Sequence, residues 1–295
     1  TSDVEFQYFE SIFQSNVNIL DYCIDRGINT NIVDDDGLTG LHHAAIRGSV
    51  PMMTVLLASR RTEINKTDPQ KLTALMYACM YRNWECVKYL LQKGANPNLV
   101  NDKLQTALHM ACVQNSVRCA FELIHKGAKL NVRDAFDNSP LSIAVTNTAS
   151  MTMSKYLLRK GASATSTKQF PLFLECVLNC TDPNRLRIIQ LLLDNDVDIY
   201  CLHPISKRNC LHYVAITGYL PAALYLTRLG EANLDVGDLT NRTPQDIAWD
   251  HHNWEVYNYF MRRIKSRWAR DIVERDILAD VYNSVDSKRH VQFNK

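Results

Sequence analysis

The sequence of 295 residues predicts an all-α solenoid, in which paired helices stack on one another along the chain. Three observations favour this fold class. A six-residue motif recurs about every 33 residues, an apolar stripe with helical spacing follows each copy, and a glycine or asparagine ends most of these stripes. A unit this short cannot bury its apolar face alone, so neighbouring units must cover it.

The recurring motif reads TALHMA at residues 106–111. Its other copies are TGLHHA at 39–44, TALMYA at 73–78, SPLSIA at 139–144, FPLFLE at 170–175, NCLHYV at 209–214 and TPQDIA at 243–248. The Thr, Ser or Asn at its start is predicted to cap a first helix. The Leu is predicted to point into the stack, and the Ala to let two helices approach closely. Phe170 cannot cap and Glu175 replaces the Ala, so that copy predicts a looser or shifted first helix.

A second helix is predicted after each motif, because apolar residues recur there with helical spacing, as at Val87 and Leu90. Gly94 and Gly127 are among the residues that follow these segments, where a left-handed residue would end the helix. Asn195 takes this position in one copy. Each repeat is therefore expected to be a helix–turn–helix unit.

With its T-x-L-H-x-A signature and its period, the chain resembles the ankyrin repeat family. The resemblance implies short β-hairpin-like fingers, and hydrogen bonds from His42, His109 and His212 that tie neighbouring hairpins together. It also implies a concave groove, formed by finger tips and the exposed face of each first helix, that binds another protein.

The pattern divides the chain into three predicted parts. Residues 1–33 form an atypical N-terminal ankyrin repeat. Residues 34–263 form seven further repeats, with an irregular one at about 165–208. Residues 264–295 form a C-terminal amphipathic helix and tail, which we expect to cap the last repeat; a partner-docking helix is the alternative.

The N-terminal repeat lacks the hexamer but keeps helical apolar patterning. One apolar stripe there consists of Phe6, Phe9, Ile12 and Phe13. The chain starts at Thr1 rather than Met, so we expect an excised or processed piece of a longer protein.

The composition of the chain limits the functions that it can have. The formal net charge of +2 gives no electrostatic case for nucleic acid, so no nucleic-acid partner is expected. No apolar run approaches the roughly 20 residues needed for a membrane span. The odd count of nine cysteines, many in apolar patterns, favours free thiols in a reducing compartment, so we expect a cytoplasmic or nuclear protein.

Metal-capable residues cluster between positions 176 and 212. They are Cys176, Cys180, Cys201, His203, Cys210 and His212. Cys210 and His212 belong to a hexamer and Cys176 follows one, so structural thiols are the favoured interpretation; a metal or catalytic site is the weaker alternative. The chain has no phosphate-binding loop, G-x-G-x-x-G or H-E-x-x-H motif. We therefore expect no catalytic residues, no metal and no cofactor.

The register of the repeats predicts the partner-binding residues. They are Asp35, Asp36, Arg47, Gln70, Met80, Tyr81, Lys103, Gln105, Gln114, Phe136 and Asn138. Tyr81 and Phe136 are the expected anchors, since exposed aromatic residues are typical of interfaces. For Met80 the alternative is packing of hairpin against helix. The groove would suit an extended or helical peptide with a basic residue and one or two apolar anchors. The irregular repeat is a second candidate site.

We therefore expect a non-catalytic protein–protein interaction module that acts as a scaffold, adaptor or regulatory domain. The alternative is a targeting or regulatory domain of a larger enzyme, channel or ubiquitin-ligase receptor whose active part lies outside this chain. The sequence leaves the partner and the oligomeric state open.

Overall fold

The computed structural model describes residues 3–164, 171–179, 183–195, 197–229 and 234–268. Regular structure in these residues is almost entirely helical, which confirms the all-α class. Two isolated antiparallel bridges, Val33 with Thr39 and Thr67 with Thr73, close two of the hairpin-like loops. We call the loop before each first helix a finger.

The helices follow one another in pairs. The pairs are α1 (Asp3–Phe13) with α2 (Val17–Asp25), α3 (Gly40–Arg47) with α4 (Val50–Ala58), α5 (Ala74–Met80) with α6 (Trp84–Gln92), α7 (Ala107–Val113) with α8 (Val117–His125), α9 (Pro140–Thr146) with α10 (Met151–Arg159), α11 (Leu172–Leu178) with α12 (Pro183–Leu193), α13 (Cys210–Thr217) with α14 (Leu220–Arg228), and α15 (Pro244–Asp250) with α16, described over residues 254–268. Except in the first pair, the hexamer supplies the first helix and the apolar stripe the second.

The helix pairs belong to two compact units. One comprises Thr1–Ser166 and Gln190–Asp196, and the other comprises Thr167–Ile189 and Val197–Lys295. In the first unit, the first helices α1, α3, α5, α7 and α9 pack in series, and so do the second helices α2 to α10. In the second unit, α13 packs against α11, α14 and α15. Within each unit, neighbouring pairs therefore cover one another's apolar faces.

The hexamer residues take their predicted places. The hydroxyl of Thr73 accepts a hydrogen bond from the backbone N–H of Met76 at 3.3 Å, which caps α5. Leu108 and Ala111 are fully buried. Gly94 and Gly127 have φ of +93° and +83°, in the left-handed region that ends a helix.

The helix of the irregular copy is shifted as predicted. α11 begins at Leu172, the third position of its hexamer, whereas the other first helices that follow a hexamer start begin at the second position. Pro171 occupies the cap and makes no side-chain capping hydrogen bond. Phe170, on which the prediction was based, lies outside the described residues.

The predicted apolar stripe of α1 is buried only in part. Tyr8 and Ile12 are fully buried, whereas Phe6 is 66% exposed and Phe13 is 48% exposed. The apolar stripe is therefore divided between a buried part and an exposed part of α1. Among the described residues, α1 packs mainly against α2 and α3, and the part of the stripe that faces away from them is exposed.

The predicted boundaries at residues 33/34 and 263/264 stay predictions. α16 continues through residue 263 to 268, and residues 269–295, which hold most of the predicted C-terminal helix, lie outside the described residues. Among the described helices, none combines the length and hydropathy that crossing a membrane requires.

Candidate functional site

One acidic or amide side chain shapes each of five fingers. In the finger before α9, Asp134 Oδ1 accepts hydrogen bonds from the backbone N–H groups of Phe136 at 2.9 Å and Asn138 at 2.8 Å. The same pair of bonds, to the residues two and four positions ahead, is made by Asp34, Asp68, Asn101 and Asp238. Such turns fix the finger backbone and so define which side chains stand at its tip.

Backbone hydrogen bonds join neighbouring fingers in the first unit. The N–H of Asp102 donates to the carbonyl of Gln70 at 3.2 Å, and the N–H of Ala135 donates to the carbonyl of Lys103 at 2.9 Å. The side-chain amide of Gln105 also donates to Asp134 at 3.2 Å. The finger tips are thus held in a fixed order beside one another.

Each of the three hexamer histidines joins its own repeat to the next finger, as predicted. Nδ1 of His109 accepts from the backbone N–H of Thr106 at 3.1 Å, and Nε2 donates to the carbonyl of Asn138 at 3.2 Å. The corresponding carbonyls are those of Leu72 for His42 and Arg242 for His212. Burial lowers the pKa of all three imidazoles, which favours the neutral form that these bonds require.

Large apolar side chains are exposed along two rows of the first unit. Tyr81, directly after α5, is 53% exposed, and Val113, at the end of α7, is 45% exposed. On the fingers, Leu104 is 50% exposed and Phe136 is 71% exposed. We call the surface formed by fingers 33–38, 67–72, 101–105 and 134–138 and by the C-terminal ends of α3, α5 and α7 the finger face.

All eleven predicted binding residues lie on the finger face. The exposed ones are Asp35, Asp36, Arg47, Gln70, Tyr81, Lys103 and Phe136, and the half-buried ones are Met80, Gln105, Gln114 and Asn138. Arg47 is occupied within the chain, because it donates to the carbonyl of Phe13 at 2.8 Å and its guanidinium lies 5.7 Å from the centre of that ring. Their role in binding stays a prediction.

Leu104 is an exposed residue of this surface that the predicted set does not contain. It has φ of +57° and stands at the same finger position as Lys71 and Asp137, which have φ of +60° and +62°. A leucine in the left-handed region is uncommon. The signal was present in the register, since the neighbouring repeats hold polar residues at this position.

Asp34 differs from the acidic residues beside it, because its carboxylate forms hydrogen bonds within the chain. Its Oδ2 lies 2.6 Å from Nε2 of His43. Burial raises the pKa of Asp34, but hydrogen bonds from His43 and from the backbone of Leu38 and Asp36 outweigh burial and lower it overall.

The metal-capable cluster of the second unit does not form a site in the part of the chain that the structure describes. No group of three or more His, Cys, Asp or Glu is placed there to hold a metal ion. Nδ1 of His203 accepts from the backbone N–H of Ser206 at 3.0 Å, and His212 is bonded to Asn209 and Arg242. Cys176 and Cys210 are buried, while Cys180 lies outside the described residues.

Three family models match the chain. A model described as ankyrin repeats (3 copies) matches residues 10–101, a model described as ankyrin repeat matches residues 103–135, and a model described as ankyrin repeats (many copies) matches residues 179–227. Together they cover more than half of the sequence.

Two curated relatives illustrate the range of proteins that the chain is similar to. Ankyrin repeat and SAM domain-containing protein 6 of Rattus norvegicus is 37% identical over 93 residues, which is 31% of this chain and 10% of the rat protein. Transient receptor potential cation channel subfamily A member 1 of Drosophila melanogaster is 24% identical over 224 residues, which is 75% of this chain and 16% of the channel. The chain therefore spans a small part of either relative.

A solved structure matches the fold as well. The crystal structure of the ankyrin repeat domain of Bcl-3, a member of the IkappaB protein family, superimposes with a TM-score of 0.66 at 25% sequence identity. The match covers 76% of this chain and all of the Bcl-3 domain chain.

Proposed function

Because this chain belongs to the ankyrin repeat family, we propose that it is a non-catalytic module that binds another protein, as a peptide or a domain, in a concave groove at the finger face. In this role it acts as a scaffold, adaptor or regulatory domain in the cytoplasm or nucleus. The observation that carries the proposal is the exposure of Tyr81, Leu104, Val113 and Phe136 on one ordered surface.

These side chains offer enough apolar area to anchor a partner. Full burial of an exposed Phe or Tyr stabilises by about 1.5–3 kcal/mol. Phe136 is 71% exposed and Tyr81 is 53% exposed. Burial of the remaining exposed surface of either side chain by a partner would therefore stabilise the complex by about 1–2 kcal/mol. Gln70 and Lys103, exposed on the neighbouring fingers, supply the polar surroundings that interface anchors usually have.

Affinity capture tests the proposal. The purified chain, a Tyr81→Ala/Phe136→Ala variant and a Tyr22→Ala/Phe121→Ala variant are used in parallel to capture proteins from cell lysate. Tyr22 and Phe121 are similarly exposed but lie on the second helices α2 and α8, so they control for the general loss of exposed aromatic area. We expect the finger-face variant to lose partners that the control variant keeps.

Two results would move the site elsewhere. Partners lost by the control variant alone would place binding on the second helices. Partners kept by both variants would place it outside the finger face, with the irregular repeat at about 165–208 as the next region to alter. Circular dichroism of all three proteins verifies that a loss of binding is not a loss of helix.

A second candidate function is a targeting or regulatory domain of a larger enzyme, channel or ubiquitin-ligase receptor. The similarity to the Drosophila channel favours it, since that match takes in 75% of this chain but only 16% of the channel. Sequencing the complete transcript tests this function. A coding region that adds a catalytic or membrane-spanning domain would support it, and one that adds neither would contradict it.

A further inference from the structure

An apolar groove lies where α1 meets the first finger. Its walls are the side chains of Phe6, Phe9 and Phe13 from α1 and of Val33 from the finger, and its volume is about 330 Å³. Phe6 and Phe13 keep 66% and 48% of their surface exposed. An apolar surface of this kind is costly to leave in water.

Acidic side chains border the same groove. Asp34, Asp35 and Asp36 line it from the finger, and Glu5 lines it from α1. Asp34 is bonded to His43, whereas the carboxylates of Asp35 and Asp36 are exposed and take part in no hydrogen bond or ion pair within the described residues. Two uncompensated negative charges therefore stand directly beside an aromatic wall.

A cation beside this groove, Arg47, is already engaged. Arg47 lies over the ring of Phe13 and donates to the Phe13 carbonyl. His43 is engaged as well, because its Nε2 is bonded to Asp34 and its ring packs edge-on against Phe13 with centroids 5.1 Å apart. Neither group reaches Asp35 or Asp36 by a hydrogen bond or ion pair, so both carboxylates remain available to an incoming cation.

We propose that this groove binds a peptide segment in which an arginine adjoins an aromatic or aliphatic residue. This inference rests on the proposed function and deepens it, since it assigns a chemistry to the acidic end of the finger face. The apolar residue packs against Phe6 and Phe13 while the guanidinium pairs with Asp35 and Asp36. Arginine suits the site better than lysine, because its planar group bonds carboxylates in a forked geometry and stacks on aromatic rings.

The test begins with a displayed library of random peptides selected against the intact chain. Peptides that are enriched are then labelled with fluorescein, and their dissociation constants are measured by fluorescence anisotropy. We expect the enriched peptides to share an arginine next to an apolar residue. Replacing that arginine by citrulline, which keeps the shape and removes the charge, should weaken binding about fivefold or more, and lysine should give an intermediate value.

Matched variants separate the groove from the general charge of the protein. Asp35→Asn/Asp36→Asn removes the two carboxylates, and Phe6→Ala removes one wall. Each should weaken binding about fivefold or more. Asp21→Asn/Asp25→Asn makes the same change of net charge on α2 of the same repeat, and Tyr22→Ala removes an exposed aromatic ring there; both should leave binding within about twofold of the original value.

The contrary outcomes are distinct from a failure of the proposed function. Enriched peptides that bind the Asp35→Asn/Asp36→Asn variant normally, or that contain no arginine, would overturn the inference. If those peptides bind the Tyr81→Ala/Phe136→Ala variant weakly, the finger face still stands as the site. Sedimentation velocity tests whether the chain self-associates. If it does, and if Asp35→Asn/Asp36→Asn abolishes the association, a second copy of the chain occupies the groove and the inference is overturned.

Discussion

The imidazole of His109 shows how one side chain joins two neighbouring repeats. It accepts from the backbone N–H of Thr106 through Nδ1 and donates to the carbonyl of Asn138 through Nε2. Only the neutral form with hydrogen on Nε2 satisfies both bonds, because a hydrogen on Nδ1 would face the N–H of Thr106. Asn138 belongs to the finger that carries Phe136, so His109 links the core to the finger face.

The lowered pKa values of the hexamer histidines predict how stability depends on pH. In the unfolded chain they titrate near about pH 6.5, and in the folded chain they titrate lower, because burial disfavours the charged form. Below about pH 6.5 the unfolded chain therefore binds more protons, and the free energy of unfolding falls as the pH falls towards the folded-state pKa. Urea unfolding at about pH 7.5 and about pH 5.5 measures this loss.

The variant His109→Gln isolates the contribution of one histidine. At about pH 7.5 we expect it to be less stable by about 1–3 kcal/mol, since the bond between repeats is lost. The decrease in its unfolding midpoint between about pH 7.5 and about pH 5.5 should be smaller than that of the original chain. An identical decrease in both proteins would contradict a neutral, buried His109.

At the scale of the element, α11 shows what an irregular hexamer changes. Phe170 stands at the hexamer position of the capping Thr, and the helix begins one residue later than its counterparts, with Pro171 at the cap. Glu175 stands half-buried in the position that Ala holds in five of the other six hexamers. Burial raises the pKa of Glu175, so the ionised carboxylate is held in an unfavourable environment near neutral pH.

Replacing Glu175 by Ala is therefore expected to stabilise the chain. The gain at about pH 7 should be about 0.5 kcal/mol or more, from better helix propensity and from removal of a partly buried charge. Because the folded-state pKa is raised, the folded chain binds more protons than the unfolded chain between about pH 4.3 and the folded-state pKa, and its stability falls as the pH rises through that range. The gain should accordingly shrink at about pH 4 in urea titrations. A gain that is equal at both pH values would mean that the carboxylate is not destabilising.

For the molecule as a whole, the repeat architecture could be predicted because geometry assigns one role to each hexamer residue. Thr73 must accept a first-turn hydrogen bond, Leu108 must fill the stack and Ala111 must leave room, and the structure places each accordingly. The surface was less predictable. Phe6 follows the same helical spacing as the buried Ile12, and the positions of α2 and α3 decide which of them is covered.

The sequence predicted those residues of the candidate site whose exposure follows from their position in the repeat. Tyr81 and Phe136 are exposed because their repeat positions are exposed, as the pattern indicates. The groove of α1 could not be read in this way, since it depends on how the first finger lies beside a helix that has no hexamer. The engagement of Arg47 by Phe13 is likewise a contact between residues 34 positions apart, which no local pattern reports.

The most direct test of the account is amide hydrogen exchange of the chain with and without the partner that capture identifies. We predict that the partner slows exchange in fingers 67–72, 101–105 and 134–138 and at the ends of α5 and α7, where the exposed apolar side chains lie. Slowed exchange confined to the second helices, or to residues 197–268, would contradict the finger face as the binding surface.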